Sequence, residues 1–454
     1  MGYPMQKLFG TDGVRGIYGT ELTDELAYQI GHAFAQYLSI THCQLLIGMD
    51  TRQSSPALAQ ALAAGATAAG AAVHMLGVVP TPAVAQLIPA LGYHGGAMIS
   101  ASHNPHEYNG IKLFDAQGHK LPDELEREIE RLVGDAPQRV PLISSRIPDS
   151  AGALSLHTNL YLTHLRSTVP TSLASDLGHP KLALDCANGS ACATATTLFR
   201  ELGFPCEILH CHPNGTNINA NCGSTHIDHL QDYVREHRDI AAAFAFDGDA
   251  DRLLAVDEYG NLVDGDKITA ICARHMQLED RLPHNTVAVT VMTNLGFHAY
   301  CNQHSIAREI TPVGDRYVLQ RMHERGLALG GEQSGHIIFR EFASTGDGQL
   351  TALQLLNAMR ASGKSLAALA AEVELYPQVL LNVHADPAAK ARLTTAPAIA
   401  AAIAKAEMRL GQHGRVLVRA SGTEPLVRIM LEGQHEHEIT QLAHNIAHRI
   451  KEAQ

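Results

Sequence analysis

Short apolar segments, each followed by a polar loop and then by a helical stretch, recur along the chain and limit its possible folds. Residues 44–49 form one such segment, and Pro56 after it suits the first turn of an alanine-rich helix expected to reach about residue 72. Further apolar segments of strand length lie at residues 73–79, 96–100, 181–185, 240–246 and 286–292. This alternation predicts α/β domains with mixed, largely parallel sheets.

The C-terminal part of the chain follows a different pattern. Residues 376–385 and 414–433 are typical of strands, whereas residues 397–410 and 435–453 are typical of helices. We therefore predict a smaller α+β domain at this end.

The length of 454 residues suggests three or four domains. Candidate joints are the polar, proline-containing stretch 135–150, the turn region 257–265 and the segment 363–376. From these joints we predict four domains, at residues 1–150, 151–257, 258–368 and 369–454.

Composition excludes several classes of protein. The formal net charge of −12 argues against non-specific binding to nucleic acid. No run of eighteen apolar residues is present, so we predict no membrane span, and the first residues lack the apolar core of a signal peptide. We expect the protein to stay in the cytoplasm.

Eight cysteines are scattered through the chain without a C-x-x-C pair. A zinc site is conceivable where cysteine and histidine crowd together, at Cys206, His210, Cys211, His212 and Cys222. Their spacings match no standard zinc finger, so we interpret these cysteines as reduced thiols that fill small spaces in the core.

The first of four polar loops comprises residues 99–105 and leads on to residues 109–112. It follows an apolar strand, so its polar groups should project from the carboxyl edge of a sheet, where α/β proteins build their sites. Ser102 lacks the G-x-S-x-G surroundings of a hydrolase nucleophile. A serine that carries a phosphoryl group fits better than such a nucleophile, although this loop taken alone slightly favours an ordinary serine-rich turn before Pro105.

The second loop follows the apolar segment 240–246 and carries Asp247, Asp249 and Asp251. Alternate carboxylates can direct their oxygens towards one hard cation, and Mg²⁺ uses few carboxylates together with phosphate oxygens. An EF-hand is disfavoured because Arg252 stands where that loop requires glycine. Three like charges this close repel one another without a counterion, so the pattern favours a metal site over a solvated turn.

The third loop, residues 330–336, places Glu332 and Ser334 on a flexible glycine frame. These side chains suit sugar hydroxyls because carboxylate accepts hydrogen bonds and a hydroxyl group both donates and accepts. A simple hairpin turn is the open alternative.

The fourth loop, residues 419–425, joins two apolar segments and is followed by Arg428. Two arginines, two hydroxyls and accessible backbone N–H groups form a good cradle for phosphate. An ordinary hairpin with surface arginines is equally compatible with this loop alone.

Together and in this order, the four loops resemble those of the α-D-phosphohexomutase family, and the resemblance covers nearly the whole chain. It implies three related α/β domains and a smaller C-terminal α+β domain around a central cleft. Residues 8–16, residues 314–318 and Gln333 resemble the branch of the family that acts on an amino sugar.

The resemblance also implies a reaction. Phosphorylated Ser102 gives its phosphoryl group to a sugar monophosphate, and a second group returns to Ser102 from the resulting sugar 1,6-bisphosphate. Lys112 and His336 are candidates for proton transfer, while Arg15 and His103 neutralise charge near the serine. The ligands implied for Mg²⁺ are Ser102, Asp247, Asp249 and Asp251.

Contacts to the sugar phosphate follow from the same resemblance. The implied substrate-binding residues are Glu332, Ser334, Arg419, Ser421, Gly422, Thr423 and Arg428. Other functions stay open: the same chemistry on mannose or glucose phosphates, sugar-phosphate binding without catalysis, or a phosphatase. Relatives often dimerise, which leaves a homodimer open.

Overall fold

The computed structural model describes residues 8–10, 12–136, 151–386, 390, 393, 396–420 and 426–452. The chain divides into two compact units. The first unit contains the described residues up to 292 together with 304–372, and the second contains 293–303 together with those from 373 onward. Within the described ranges, no helix has both the length and the apolarity needed to cross a membrane.

The first sheet of the first unit has six strands in the order β1-β2-β6-β5-β3-β4, with β3 parallel to β4 and β5 and the other neighbours antiparallel. Its strands are β1 (Phe9–Gly10), β2 (Gly13–Ile17), β3 (Gln44–Met49), β4 (Ala72–Val78), β5 (Gly95–Ile99) and β6 (Tyr108–Phe114). The accompanying helices are α1 (Asp24–Leu38), α2 (Ser55–Ala68), α3 (Thr81–Leu91) and α4 (Asp123–Asp135).

The second sheet has five strands in the order β11-β10-β9-β7-β8, and β7 is parallel to both β8 and β9. Its strands are β7 (Lys181–Asp185), β8 (Cys206–Leu209), β9 (Ile240–Phe246), β10 (Leu253–Asp257) and β11 (Leu262–Val263). Helices of this region are α5 (Ala151–Ser167), α6 (Leu173–Asp176), α7 (Ala195–Glu201) and α8 (Asp228–Glu236).

The third sheet has four strands in the order β13-β12-β14-β15. Its strands are β12 (Thr286–Thr290), β13 (Ala307–Thr311), β14 (Leu329–Gly331) and β15 (Ile337–Phe339). The remaining helices of the first unit are α9 (Gly265–Leu278), α11 (Asp315–Arg325), α12 (Gly348–Ser362) and α13 (Leu366–Ala371). Helix α10 (Leu295–Gln303) lies between α9 and α11 in the sequence but belongs to the second unit.

The three sheets share one arrangement. In each sheet one strand, β5, β9 or β14, ends in a polar loop. That strand pairs with a parallel strand on one side and, on the other, with the antiparallel strand that follows the loop. The corresponding strand series are β6-β5-β3-β4, β10-β9-β7-β8 and β15-β14-β12-β13. The first three polar loops singled out in the sequence therefore each connect the two strands of an antiparallel pair. This repetition agrees with three related α/β domains.

The second unit is built on an antiparallel sheet of order β16-β18-β17, formed by β16 (Gln378–His384), β17 (Gly414–Ala420) and β18 (Leu426–Gly433). Helices α14 (Pro397–Leu410) and α15 (Glu436–Glu452) contact this sheet. The buried Glu432 of β18 accepts a 2.7 Å hydrogen bond from the backbone N–H of Leu295, which attaches the start of α10.

Close contact between α1 and α2 depends on two glycines. A Cβ atom on Gly31 would overlap the carbonyl oxygen of Leu62, and one on Gly65 would overlap that of Tyr28. The alanine-rich face of α2 lets the two backbones approach this closely, and the core of the first sheet includes both helices.

The structure confirms the predicted class, α/β domains with mixed sheets followed by a small α+β domain. Antiparallel pairs are more frequent than the sequence pattern indicated, since β6, β10 and β15 each return beside the strand before them. The helix expected to reach residue 72 ends at Ala68, because Gly70 adopts a φ of 94° that a right-handed helix cannot contain. The four domain boundaries stay predictions.

Candidate active site

Ser102 lies in the loop that connects β5 to β6 and has a φ of 51°, in the left-handed region. Its backbone N–H donates to Oγ of Ser100 at 2.9 Å, and its side chain is buried. The Ser102 Oγ donates a 2.5 Å hydrogen bond to Oδ2 of Asp247, which begins the loop between β9 and β10. The first two predicted loops are thus brought together.

Arg52 and Asn219 fix the backbone of the serine loop. The buried Arg52 guanidinium donates from Nη2 to the carbonyl oxygens of Ser102 and Asn104, each at 2.9 Å, and from Nε to Oδ2 of Asp50 at 2.8 Å. The Nδ2 of Asn219 donates to the same Ser102 carbonyl at 2.9 Å. Sequence reasoning assigned neither residue a role, although the polar loop after β3 was visible.

Asp247, Asp249 and Asp251 are all buried, and one carboxylate oxygen of each lies within 4.8 Å of the others. Burial, with repulsion from the other two carboxylates, raises the pKa of Asp247 well above its ordinary value. The buried Oδ1 atoms of Asp249 and Asp251 have no hydrogen-bond donor among the residues that the structure describes. Carboxylate oxygens that lie close together without hydrogen-bond donors are suitable ligands for a hard cation.

Lys112 lies on β6 with its ammonium group buried among carboxylates. Its Nζ is 2.8 Å from Oδ2 of Asp249, 3.3 Å from Oδ2 of Asp251 and 3.1 Å from Oδ2 of Asp12. Burial alone would lower the pKa of Lys112, but attraction to these three carboxylates outweighs it and holds the pKa well above its ordinary value. Lys112 is therefore held as a cation in this geometry.

Arg15, His103 and Arg252 surround the serine. Arg15 donates from Nη1 to Oδ1 of Asn104 at 3.0 Å, and His103 Nδ1 lies 3.3 Å from the Ser102 Oγ. Burial, followed by the positive charges of Arg252 and Arg15, lowers the pKa of His103 to about 4. The Nε atoms of both arginines are buried without an acceptor within the described part of the chain. Such unsatisfied cationic donors suit an anion such as phosphate.

The third loop connects β14 to β15 and contacts the second loop through His336. The His336 Nε2 lies 3.9 Å from Oδ2 of Asp251 and 3.5 Å from Oδ2 of Asp315. Glu332 accepts a 3.0 Å hydrogen bond from the Gly314 N–H, so one of its oxygens is already engaged.

The exposure of the two predicted sugar ligands differs. Ser334 is exposed, whereas Glu332 is 9% exposed. Gly335 next to them has a φ of 91°, and a Cβ there would overlap the carbonyl oxygen of Leu253. Any side chain at position 335 would therefore collide with β10, and glycine lets the third loop pack against the start of this strand.

Arg419 and Arg428 occupy directly opposite positions on β17 and β18 of the second unit. Burial, together with the positive charge of Arg428, lowers the pKa of Arg419. Two cationic side chains placed side by side favour an anionic ligand between them. The other predicted residues of this loop, Ser421, Gly422 and Thr423, lie outside the described residues.

Four family models match the chain in succession, and all carry the description phosphoglucomutase/phosphomannomutase. The alpha/beta/alpha domain I matches residues 6–139, domain II residues 159–260, domain III residues 264–376 and the C-terminal domain residues 380–449. The chain belongs to the phosphoglucomutase/phosphomannomutase family. The resemblance read from the four loops is thereby confirmed, and membership in this family of phosphohexomutases makes the protein an enzyme.

Curated members of the family are similar to the chain over its length. A phosphoglucosamine mutase of Clostridium perfringens (strain SM101 / Type A) is 48% identical, covering 98% of this chain and 99% of the relative. A phosphoglucosamine mutase of Caldicellulosiruptor saccharolyticus is 46% identical with the same coverage of both chains.

Solved structures of family members share the fold. A phosphoglucomutase/phosphomannomutase family protein from Burkholderia thailandensis superposes with a TM-score of 0.78 at 23% identity, covering 98% of this chain and 97% of that one. The N-acetylphosphoglucosamine mutase of Aspergillus fumigatus, in complex with GlcNAc-6P and magnesium, gives a TM-score of 0.65 at 19% identity and covers 98% and 96% of the two chains.

Proposed function

We propose that the protein is a phosphoglucosamine mutase, which interconverts glucosamine 6-phosphate and glucosamine 1-phosphate through phosphorylated Ser102. The observation that carries this proposal is the position of the Ser102 Oγ, 2.5 Å from Asp247 in a cluster of three buried carboxylates. The names of the curated relatives support the amino sugar as substrate.

Mg²⁺ is the ion that the cluster suits, because its donors are carboxylate oxygens and a phosphoserine oxygen. Asp247, Asp249, Asp251 and phosphorylated Ser102 would hold it. When bound, the ion would neutralise charge on the transferring phosphoryl group.

Transfer exchanges one P–O bond for another. The bond between phosphorus and the Ser102 Oγ breaks, and this oxygen takes up a proton to become a hydroxyl group again. A bond forms from phosphorus to a free hydroxyl oxygen of the sugar, which gives up its proton. This yields glucosamine 1,6-bisphosphate, and transfer of its other phosphate back to Ser102 completes the cycle. Arg15, Arg252 and Lys112 supply fixed positive charge around the serine, which stabilises the equatorial oxygens during transfer.

The proton of the sugar hydroxyl goes to His336 or Lys112. Lys112 is held as a cation by three carboxylates, which suits charge neutralisation better than proton acceptance. The Nε2 of His336 accepts a 3.3 Å hydrogen bond from the Gly346 N–H, so this nitrogen carries the lone pair of the neutral ring. The Asp315 carboxylate, 3.5 Å from Nε2, would stabilise the imidazolium that forms when Nε2 takes up a proton. His336 is therefore the better placed acceptor.

Substrate recognition is assigned to two loops. Glu332 and Ser334 would bind sugar hydroxyls, and the phosphate that is not being transferred would bind at the fourth loop, with Arg419, Ser421, Gly422, Thr423 and Arg428. The bisphosphate must bind in both orientations, so this loop has to accept either phosphate. On this proposal the enzyme works in the cytoplasm and supplies amino-sugar nucleotide synthesis, while a homodimer stays open.

The deciding experiment measures kcat/KM for the 6-phosphates of glucosamine, glucose and mannose, with Mg²⁺ and a trace of sugar bisphosphate. A clear preference for the amino sugar supports the proposal. Equal or faster turnover of mannose or glucose phosphate assigns the protein to another branch of the family. Release of inorganic phosphate as the main product would instead indicate a phosphatase.

A further inference from the structure

Three cysteines far apart in the sequence lie together in the second sheet of the first unit. Cys186 follows β7 directly, Cys192 lies in the 3₁₀ turn Ser190–Ala193, and Cys211 follows β8 by two residues. Because β7 and β8 are parallel neighbours, the segments after them meet at the same edge of the sheet. No sequence pattern indicated this group, since its spacings match no known metal-binding motif.

The three Sγ atoms all lie within 4.8 Å of one another. Three thiolates around one Zn²⁺ ion, with Zn–S bonds of about 2.3 Å, require S···S separations of about 3.8 to 4.0 Å. The 4.8 Å limit exceeds these separations by at most about 1 Å, so small rotations of the side chains would bring the sulfur atoms to the required distance. Cys186 is buried, whereas Cys192 and Cys211 are partly exposed, so an ion can reach the group from solvent.

A second possible ligand set adjoins the thiols and consists of Asp185, His210 and Cys222. The two Asp185 oxygens already accept 2.9 Å hydrogen bonds from the backbone N–H groups of Ala187 and Gly223, and one of them pairs with His210 Nδ1 at 3.0 Å. A metal at this second set would have to replace these contacts. The three thiols hydrogen-bond one another, and their contacts to backbone oxygens are long, from Cys192 to His210 at 3.7 Å and from Cys211 to Cys192 at 3.8 Å.

We propose that Cys186, Cys192 and Cys211 bind one thiophilic metal ion, Zn²⁺ or Cu⁺, at a site distinct from the magnesium site. An all-sulfur donor set selects soft ions of this kind and discriminates against Mg²⁺. Binding displaces the thiol protons to solvent and requires no oxidant.

The site lies close enough to the active site that the two must be distinguished. The segment between Cys186 and Cys192 contains Ser190, whose backbone N–H donates to the Gly248 carbonyl oxygen at 2.8 Å. Gly248 stands between two of the aspartates that we assign to Mg²⁺. A transition metal bound by those aspartates would produce no sulfur-to-metal absorption, so the readout has to report sulfur ligation.

The test uses the full chain, reduced with a non-thiol reagent, stripped of metal and kept free of oxygen. Cd²⁺ serves as the spectroscopic probe through its thiolate-to-metal absorption in the ultraviolet, and competition with chromogenic chelators measures the affinities for Zn²⁺ and Cu⁺. We expect one ion per chain. Cys192→Ser and Cys211→Ser should each weaken binding by about tenfold or more, whereas Cys206→Ser and Cys222→Ser should leave it unchanged.

A second measurement needs no variant. Bound metal should protect Cys186, Cys192 and Cys211 of the native chain from alkylation, as mapped by mass spectrometry, and should leave the labelling of Cys206 unaltered. Absence of a thiolate band, its persistence in both Cys192→Ser and Cys211→Ser, or its loss in Cys222→Ser would each overturn the proposal. The proposal would also be overturned if the reduced chain bound none of the ions and two of these three cysteines formed a disulfide in air.

Discussion

The Oγ of Ser102 and the Oδ2 of Asp247 are 2.5 Å apart although 145 residues separate them in the chain. Ser102 lies in the connection between the antiparallel strands β5 and β6 of the first sheet. Asp247 begins the connection between the antiparallel strands β9 and β10 of the second sheet. The arrangement delivers a hydroxyl group from one domain to carboxylates of the next. On the proposed mechanism, catalysis therefore depends on how the first two sheets are held together, as much as on the loops themselves.

Replacement of Ser102 separates its chemical role from its backbone role. Ser102→Ala and Ser102→Gly both remove the oxygen that we propose carries phosphate, so each should lower kcat by about 10³-fold or more. Glycine accepts the φ of 51° without the strain that alanine suffers. We expect Ser102→Gly to exceed Ser102→Ala in free energy of unfolding by about 1 kcal/mol. Urea denaturation and steady-state kinetics measure the two effects, and full activity in either variant would refute the covalent mechanism.

Arg52 should be intolerant even of lysine. Its guanidinium contacts the carbonyl oxygens of Ser102 and Asn104 and the carboxylate of Asp50, all in a buried setting. An ammonium group cannot reproduce this planar set of donors, so Arg52→Lys should lose about 3 kcal/mol of stability.

The matched control for this variant is Arg131→Lys, at an ion pair whose arginine side chain is 57% exposed. Its free energy of unfolding should change by less than about 0.5 kcal/mol. Equal effects of the two substitutions would show that the Arg52 contacts do not stabilise the serine loop. If kcat of Arg52→Lys falls by more than the fraction of folded protein does, the position of the serine loop matters to phosphoryl transfer.

Gly65 sets the distance between α1 and α2. Alanine at this position would place its Cβ against the carbonyl oxygen of Tyr28, so Gly65→Ala should destabilise the protein by about 1 to 3 kcal/mol. A Cβ atom on Gly134, near the end of α4, would have no described atom within 4 Å, so Gly134→Ala should be neutral or stabilising by up to about 1 kcal/mol. Thermal and urea unfolding of both variants decide whether close packing or helix propensity dominates.

Apolar runs predicted the strands well because buried strands require them, as β3, β7 and β9 illustrate. The sequence did not predict that β6 returns antiparallel beside β5. This strand contains Asn109 and Lys112, which are polar yet buried. Ser54 and Ser55 satisfy Asn109, and carboxylates of the candidate metal site satisfy Lys112. Partners of that kind come from distant parts of the chain, and no local pattern indicates them.

The same limit applies to the candidate site. The three aspartates were visible because their spacing alone places like charges together. Arg52, Asn219 and Asp12 were not, since each acts on groups about 50 to 120 residues away, such as Ser102 and Lys112. The sequence around Asp12 indicated the family but not this contact, and the sequences around Arg52 and Asn219 show only ordinary polar loops.

Asp347 gives the protein a pH-dependent stability at a carboxyl group that is not itself a proposed metal ligand, although the negative charge of Asp251 contributes to the effect. It caps α12 by accepting the Leu350 N–H at 3.0 Å, and the hydroxyl of the buried Tyr161 donates to it at 2.8 Å. Burial raises the pKa of Asp347 from 3.8 to about 6 in spite of these hydrogen bonds. The folded protein therefore holds this proton more tightly than the unfolded chain does.

The sign of the effect follows from that difference. The contribution of Asp347 to stability is fully present below about pH 4, declines as the pH rises to about 6, and above this is a constant loss of about 3 kcal/mol. Asn is also a good helix cap and does not titrate. The free energy of unfolding of Asp347→Asn minus that of the native protein should thus increase by up to about 3 kcal/mol between pH 4 and pH 8.

Urea denaturation at intervals across this range tests the prediction, with Asp232→Asn as control because the Asp232 side chain is 70% exposed. The control difference should stay constant within about 0.5 kcal/mol at every pH. A flat difference for Asp347→Asn as well would mean that the capping hydrogen bonds compensate burial and leave the carboxylate ionised in the folded state. A difference that falls with rising pH would reverse the inferred sign, and would make ionised Asp347 a stabilising cap of α12.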